Sequence, residues 1–499
     1  MSLWATKSIS ALRAEADNTG EGRLQRTLGR GGLLAIGIGG IIGAGIFVLT
    51  GQAAALHAGP AVPVSMIIVG IACAFAGLCY AEMASAVPVA GSAYTYSYAT
   101  MGELVAWIIG WDLVLEYAAG ASTVAVGWSG HFVSLLRHFD VELPAGLTNS
   151  PTVWCTAANV SSGLMGCAHH GLNFTGALIN LPAVLIVAIV STILVIGIKE
   201  SSRVNNVIVI IKVGIVVLVA ATGLFYVHAS NWTTFIAPNT GEWGTYGWSG
   251  VLRGAGLVFF AYIGFDAVST AAQEAKDPQR DMPFGILGSL AICTLLYVVV
   301  SAVLTGMVPY GELNNAAPTS YALEKVGAPY FIRLLVDIGA VLGLASVVLV
   351  MLLGQSRVFY SMSRDGLLGE WAGKVHPKFR TPYLSSIYTG IVVAIAAGAL
   401  PLQLLGQLVN IGTLLAFILV CAGVWILRRK RPDLERPFRT PWVPFVPIMG
   451  ILCCFGLMLT LPEDTWIRLI VWLLIGFAIY FGYGRRHSVL QRELGRGLK

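Results

Sequence analysis

The sequence predicts an all-α integral membrane protein with about twelve transmembrane helices. Helices 1 and 6 are expected to break at mid-membrane within a five-plus-five inverted repeat, with two extra helices beyond it. Three observations carry this expectation. Of 499 residues, 56% are hydrophobic and only 11% charged, whereas soluble domains carry about 25% charged residues. Polar breaks cut the chain into apolar runs near the length that crosses a ~30 Å hydrocarbon core. Glycines crowd the first run and interrupt the sixth, and paired interruptions in two halves are the sequence mark of inverted-repeat transporters.

The runs fall at 33–53, 62–86, 101–133, 176–198, 204–227, 250–272, 284–307, 331–360, 384–400, 404–427, 443–461 and 465–484. We refer to them as spans 1 to 12. The expected organisation is a tail at 1–30, a ten-helix core at 31–430, helices 11 and 12 at 431–485 and a tail at 486–499. The polar, basic N-terminus has no apolar core before a cleavage site, which predicts a retained first span.

Lys and Arg set the orientation. The N-terminal tail holds five, 357–380 five, 428–439 six and the C-terminal 485–499 five, all on one side if the spans alternate. The other side receives Arg137, Arg253, Lys325, Arg333 and Arg468. The charged side is therefore expected to be cytoplasmic and to hold both termini, in a plasma membrane. The balance of +6 is modest and calls for no nucleic acid. Membrane lipid is the expected surrounding partner.

Span 1 reads LLAIGIGGIIGAGIFVLTG. Each glycine weakens a helix by about 1 kcal/mol relative to Ala, and Gly43-Ala44-Gly45 is the expected point of unwinding. Close helix packing through small residues is the other reading of the same glycines. Span 6, GLVFFAYIGFDAVSTAAQEA, places Gly264 and Asp266 behind two aromatics and predicts a break at 261–264. Together the breaks expose complementary groups. Free N–H groups near Gly43, Ala44 and Gly45 suit a carboxylate. Free carbonyls near Phe260, Ala261 and Ile263 suit an ammonium. A ligand with both groups on one carbon is an α-amino acid.

Lys212 sits in NNVIVIIKVGIVVL, where ten of fourteen residues are apolar. A charge at mid-membrane costs roughly 3 kcal/mol or more, so an intramembrane lysine reads as functional. Snorkelling to a surface is the alternative, since Lys212 lies roughly 12 Å inside the run at 1.5 Å per residue.

GIGGIIGAGIFVLTG, CYAEMASAVPVAGSAYTYSY, FFAYIGFDAVSTAAQEAKDPQRDMP and GQSRVFYSMSRDGLL, in this order, resemble the amino acid–polyamine–organocation superfamily. Within it they look like the cationic amino acid transporter branch of bacterial type, over about 25–487. The resemblance implies the five-plus-five fold, with substrate contacts at Ile42, Gly43, Ala44, Gly45, Phe260, Ala261 and Ile263. Relatives often carry Ser or Thr where this chain has Ala44, so the contact there is expected to rest on main-chain N–H groups. The resemblance also gives Lys212 a role. In proton-coupled relatives a lysine of span 5 takes the place that sodium occupies elsewhere, bridging spans 1 and 8. Here it would donate to carbonyls near Gly39 and Ile42 and to span 8 near Ser346.

Glu116 in span 3, Asp266 and Met351 in span 8 are the candidates for the substrate side chain. The two acids favour a cationic side chain, whereas Met351 shortens the pocket and favours small neutral substrates. Glu116 also reads as a bundle hydrogen bond, and Asp266 as a helix cap. Glu82, Glu103, Asp277, Arg280, Asp281, Arg357, Arg364 and Asp365 are expected in ion pairs on the inner face. The expected function is secondary active uptake of cationic or small neutral L-amino acids coupled to protons. Exchange without coupling is the alternative, and an amino acid sensor a more distant one. Amino acid and proton are the expected partners, with room for a small accessory membrane protein.

No enzyme, cofactor or metal is expected. The chain has no Walker sequence and no nucleophile–base constellation at useful spacing. His57 and His131 read as isolated packing residues near span ends. Cys155 and Cys167, in the long outer loop, could form a disulfide in an oxidising compartment. Their neighbours His169 and His170 match no zinc spacing.

Overall fold

The computed structural model describes residues 3–8, 28–87, 92–155, 169, 171–197, 202–266, 268–269, 272, 275–379 and 381–497. Among them the chain is mostly helical, with one pair of short strands. Seven stretches are long and apolar enough to cross a membrane, and one of these, Arg30–Ala86, contains spans 1 and 2. Leu181–Ile196, Tyr383–Ala399 and Phe445–Leu459 supply the shorter spans 4, 9 and 11. Span 6 forms Gly247–Val258 and then breaks. The other helices are Val62–Ala86, Glu103–Arg137, Ser202–Leu224, Pro278–Met307, Tyr330–Arg364, Leu402–Lys430 and Glu463–Ile479.

The pairing of spans follows the repeat. Span 2 packs on 7, span 3 on 8 and span 4 on 9, each five apart. Apolar attraction between helices is weak in lipid, so close approach depends on small residues. Gly70 faces Thr294, Gly77 faces Leu290 and Gly390 faces Ser191. Outward faces carry exposed aliphatics such as Ile71, Ile189, Leu295 and Ile395, as lipid contact requires.

One end of the bundle is knotted by polar side chains. Glu82 of span 2 is buried and accepts from Arg428 Nε at 2.9 Å, Arg428 Nη2 at 2.7 Å and the Thr440 N–H at 2.8 Å. Arg436 Nε lies 3.3 Å from the same carboxylate. Removing one partner of a buried pair strands the other charge, at about 3–5 kcal/mol. Glu82→Ala is therefore expected to lower unfolding stability by about that amount, read as a lower midpoint in detergent melts. An unchanged midpoint would show that the pair contributes nothing net.

At the same end, Leu3 and Ala5 accept from the N–H groups of Leu104 and Glu103. These are unsatisfied donors of the first turn of span 3. Lys7 pairs with Asp365 at 2.6 Å, and Arg30 with Asp281 at 2.9 Å. Glu103 accepts from Tyr98, Tyr480 and Ser488. Of the expected inner-face acids, Glu82, Asp281 and Asp365 are thus ion-paired, but by the N-terminal tail and the end of span 10 with the segment after it rather than by Arg280, Arg357 or Arg364, and Asp277 makes no side-chain cap to its helix. Glu103 uses hydroxyls in place of an ion pair.

The opposite end carries a feature that the sequence reading did not anticipate. Strands β1 (Thr152–Cys155) and β2 (Gly171–Phe174) form an antiparallel hairpin in the long loop, with Cys155 opposite Gly171. It is fastened to the bundle: Ser150 and Thr152 donate to the Ala399 carbonyl at 2.8 and 2.5 Å, and Arg468 lies over the Trp154 ring. Cys155 is disulfide-bonded, whereas Cys73, Cys79, Cys293, Cys421, Cys453 and Cys454 are free thiols. Cys167 and His170 lie outside the described residues.

Candidate substrate and coupling site

Span 1 runs helically from Arg30 to Ile41 and stops. Ile42 is extended, at φ −72° and ψ 98°. The helix resumes at Ala44 and continues as a π turn, Gly45–Leu49. A helix that ends inside a bundle must place its last carbonyls. Ile38 O takes the Ile42 N–H at 2.9 Å. Gly39 O takes Lys212 Nζ at 2.8 Å. Ile41 O takes the Tyr297 hydroxyl of span 7 at 2.7 Å. Lys212 therefore sits at the negative end of a half-helix dipole, where a cation is favoured.

Lys212 is only 1% exposed, so it does not snorkel. Its stem lies against Gly343 of span 8, where an added Cβ would come within 3.1 Å of Lys212 Cγ. The span 8 contact is at this glycine, not at Ser346 as expected. The Ser346 hydroxyl donates to Gly343 O of its own helix instead, at 2.9 Å. Lys212 thus bridges spans 1 and 8 by one hydrogen bond and one packing contact.

Span 6 tightens into a 3-10 turn, Phe259–Tyr262, then extends at Ile263 and turns at Gly264 with φ +118°. Asn410 of span 10 donates to Gly256 O and Leu257 O at 2.8 and 3.0 Å. Phe260 O receives the Ile263 N–H at 3.3 Å. Asp266 Oδ1 accepts from the Gly264 N–H at 3.2 Å, so its carboxylate braces the break from behind.

The two breaks touch through glycine. A Cβ on Gly264 would stand 2.5 Å from the Gly40 carbonyl carbon, and one on Gly45 would overlap the Ala261 main chain. This crossing sets Gly45 against Ala261, and so brings the segment that carries Gly43 and Ala44 to the segment that carries Phe260 and Ile263. The start of the second half of span 1 offers N–H groups and the positive end of its dipole; the end of the first half of span 6 offers carbonyls. Such an arrangement can hold a carboxylate and an ammonium carried on one carbon.

The surrounding walls come from spans 3 and 8. The Ala44 methyl faces Gly127 of span 3, whose added Cβ would stand 3.3 Å from it; this leaves main-chain groups as the polar contacts at that position. Gly43 faces Val347. Met351, one turn further along span 8, faces Gly120, with Sδ 3.5 Å from the position of an added Cβ. Glu116 lies one turn below Gly120. It is buried, Oε1 lacks a hydrogen-bond partner, and Thr413 of span 10 stands beside it.

The sequence reading passed over several residues here. Tyr297 and Asn410 hold main-chain carbonyls at the breaks, and nothing in their apolar surroundings marks them. Asp112 precedes Glu116 by four residues in WDLVLE and is equally buried; the rule that singled out Glu116 applies to it too. His131 is not isolated. It faces Asp337 at 3.3 Å and Ser320 at 3.1 Å, beside His138 and Ser134 on the same carboxylate. His57 faces the Gly244 carbonyl. Among the described residues no group of three or more His, Cys, Asp or Glu side chains is placed to hold a metal ion.

The family profile described as amino acid permease matches residues 28–480. The branched-chain amino acid permease BcaP of Bacillus subtilis (strain 168) is 47% identical over 98% of this chain and 99% of its own. The methylthioribose transporter of the same organism is 44% identical over 98% and 100%. Cationic amino acid transporter 4, vacuolar, of Arabidopsis thaliana is 31% identical over 96% and 94%. All three are named as carriers, not as enzymes.

Proposed function

This chain belongs to the amino acid permease family, and we propose that it drives amino acid uptake with the proton gradient, through Lys212. The observation that carries the coupling is the Lys212–Gly39 hydrogen bond at the break of span 1. With its proton, Lys212 ties span 5 to spans 1 and 8. Without it, the donor at Gly39 O is weakened, and the balance between access states shifts. The amino and carboxyl groups of the substrate are held by main-chain atoms at Ile42, Gly43, Ala44 and Gly45 and at Phe260, Ala261 and Ile263. Met351 and Glu116 face its side chain, and Asp266 supports the break behind it.

The chain is read as a plasma-membrane protein with both termini cytoplasmic. The ion-paired end of the bundle, with Lys7, Arg30, Arg428 and Arg436, supports that orientation. Its pairs would hold the inner mouth shut in this state and part when it opens.

Aliphatic neutral and cationic amino acids are the proposed substrates. The aliphatic part is favoured by the buried Met351 and by the name of the BcaP relative. Alanine-sized substrates are expected to compete at least as well as arginine. Met351→Ala opens the wall facing Gly120 and is expected to raise arginine uptake relative to alanine by about 3- to 10-fold, within what one or two buried methylenes control. An unchanged ratio would remove Met351 from the pocket. The test of function is uptake of labelled alanine, isoleucine and arginine into proteoliposomes, with and without an inward proton gradient. Methylthioribose belongs in the same panel because of the relative that bears its name. Gradient-driven accumulation is expected. Exchange that ignores the gradient would make the protein an antiporter.

A further inference from the structure

Asp112 has no role in the site described above, yet its setting is unusual. It lies on span 3 four residues before Glu116, so the two carboxylates share a helix face about 6 Å apart along the axis. Asp112 is 1% exposed, and neither of its oxygens has a hydrogen-bond partner. A Cβ on Gly412 of span 10 would stand 2.9 Å from Asp112 Oδ1 and 3.5 Å from Oδ2. The carboxylate thus lies against bare main chain, in space that exists because residue 412 has no side chain. Gly412 and Thr413, consecutive on span 10, face Asp112 and Glu116 respectively. Glu116 also keeps one oxygen unpartnered. Among the described residues neither acid has a Lys, Arg or His within ion-pair distance.

A buried polar group without a protein partner is costly, and one that is kept calls for a reason, a functional contact among them. The order along span 3 suggests what that is. Gly127 faces Ala44 at the break, Gly120 faces Met351, and then come Glu116 and Asp112 in successive turns. By their spacing the two acids follow Gly120 along the same face of span 3, against Gly412 and Thr413 of span 10. A neutral aliphatic side chain has no donor to offer there. An ammonium or guanidinium does.

We infer that Asp112 is a specificity-determining residue for cationic substrates: it receives the charged end of the side chain after Glu116, as the substrate moves from the site. The inference rests on the reading of the chain as an amino acid permease. Transport of neutral amino acids does not use Asp112, and this supplies the control.

The test is transport of arginine and isoleucine by wild type and Asp112→Asn in the same proteoliposome preparation. Loss of a charge-assisted contact is expected to lower the maximal arginine rate by about tenfold or more, while isoleucine stays within about twofold. Equal loss of both overturns the inference and makes Asp112 structural or a proton relay that serves every substrate. No loss of either also overturns it. Should Asp112→Asn transport nothing, Asp112→Ser is read in the same way, and equal loss in both variants is decisive against it. A wild type that carries isoleucine but not arginine, lysine or ornithine overturns the inference and leaves the permease reading intact. A wild type that carries no amino acid overturns that reading itself.

Discussion

Lys212→Met is expected to cut gradient-driven uptake by about tenfold or more, while substrate counterflow without a gradient continues. Methionine has nearly the length and volume of lysine, so the packing against Gly343 survives. What disappears is the donor to Gly39 O. Coupling between two sites typically amounts to 5- to 150-fold in affinity, about 1–3 kcal/mol. A single charge-assisted hydrogen bond made in one access state and lost in the other is of this size. The bond lies at the C-terminal end of the first half of span 1, which must move if the site is to change sides. Two measurements are needed together: accumulation under an inward proton gradient and counterflow at equal pH. Accumulation lost with counterflow kept identifies the coupling group. Both lost equally would make Lys212 a structural brace. Neither changed would place the coupling at a group other than Lys212.

Gly264→Ala is expected to abolish transport of every substrate and to destabilise the protein. Two independent costs meet at this position. A φ of +118° is a conformation that L side chains rarely adopt, and forcing one there costs about 1–3 kcal/mol. The added methyl would also stand 2.5 Å from the Gly40 carbonyl carbon. That neighbour is main chain and cannot rotate away, so the breaks of spans 1 and 6 must separate. Separation pulls the N–H groups near Gly43 away from the carbonyls near Ala261 and dismantles the head-group site. Gly45→Ala meets the main chain of Ala261 and is expected to behave likewise. Gly214→Ala is the matched control, because an added Cβ there meets nothing within 4 Å. It is expected to change stability by no more than about 1 kcal/mol. Transport retained in Gly264→Ala would mean that the breaks can part without consequence.

Much of this was legible in the sequence because the membrane makes its demands there. A span must be apolar and long enough, and a helix that breaks in lipid needs a reason. The break of span 1 falls at Ile42 and Gly43, at the front edge of the expected Gly43-Ala44-Gly45, whose Ala44 and Gly45 are already helical; that of span 6 falls at Ile263 and Gly264, and Lys212 reaches span 1 as an intramembrane lysine would need to. The illegible part consists of partnerships between distant segments. Tyr297 reads as one more aromatic in an apolar run until Ile41 O is seen beneath its hydroxyl. Glu82 announces an ion pair but not that Arg428 and Arg436 provide it. His131 looks solitary because Asp337 is 206 residues away. Asp112 differs from these. It obeys the same rule as Glu116, and only its lack of partners, visible in three dimensions, sets it apart.

The free thiols have a practical consequence for watching this protein at work. Of the six among the described residues, five are buried in the packed bundle, and Cys453 is half-buried. These six should therefore be nearly silent toward polar maleimides added from the aqueous phase. A cysteine introduced on the exposed hairpin or beside Lys7 could then be labelled without first stripping the native thiols. Fluorophore pairs placed this way would follow opening and closing of each mouth in single molecules, on an otherwise unaltered background.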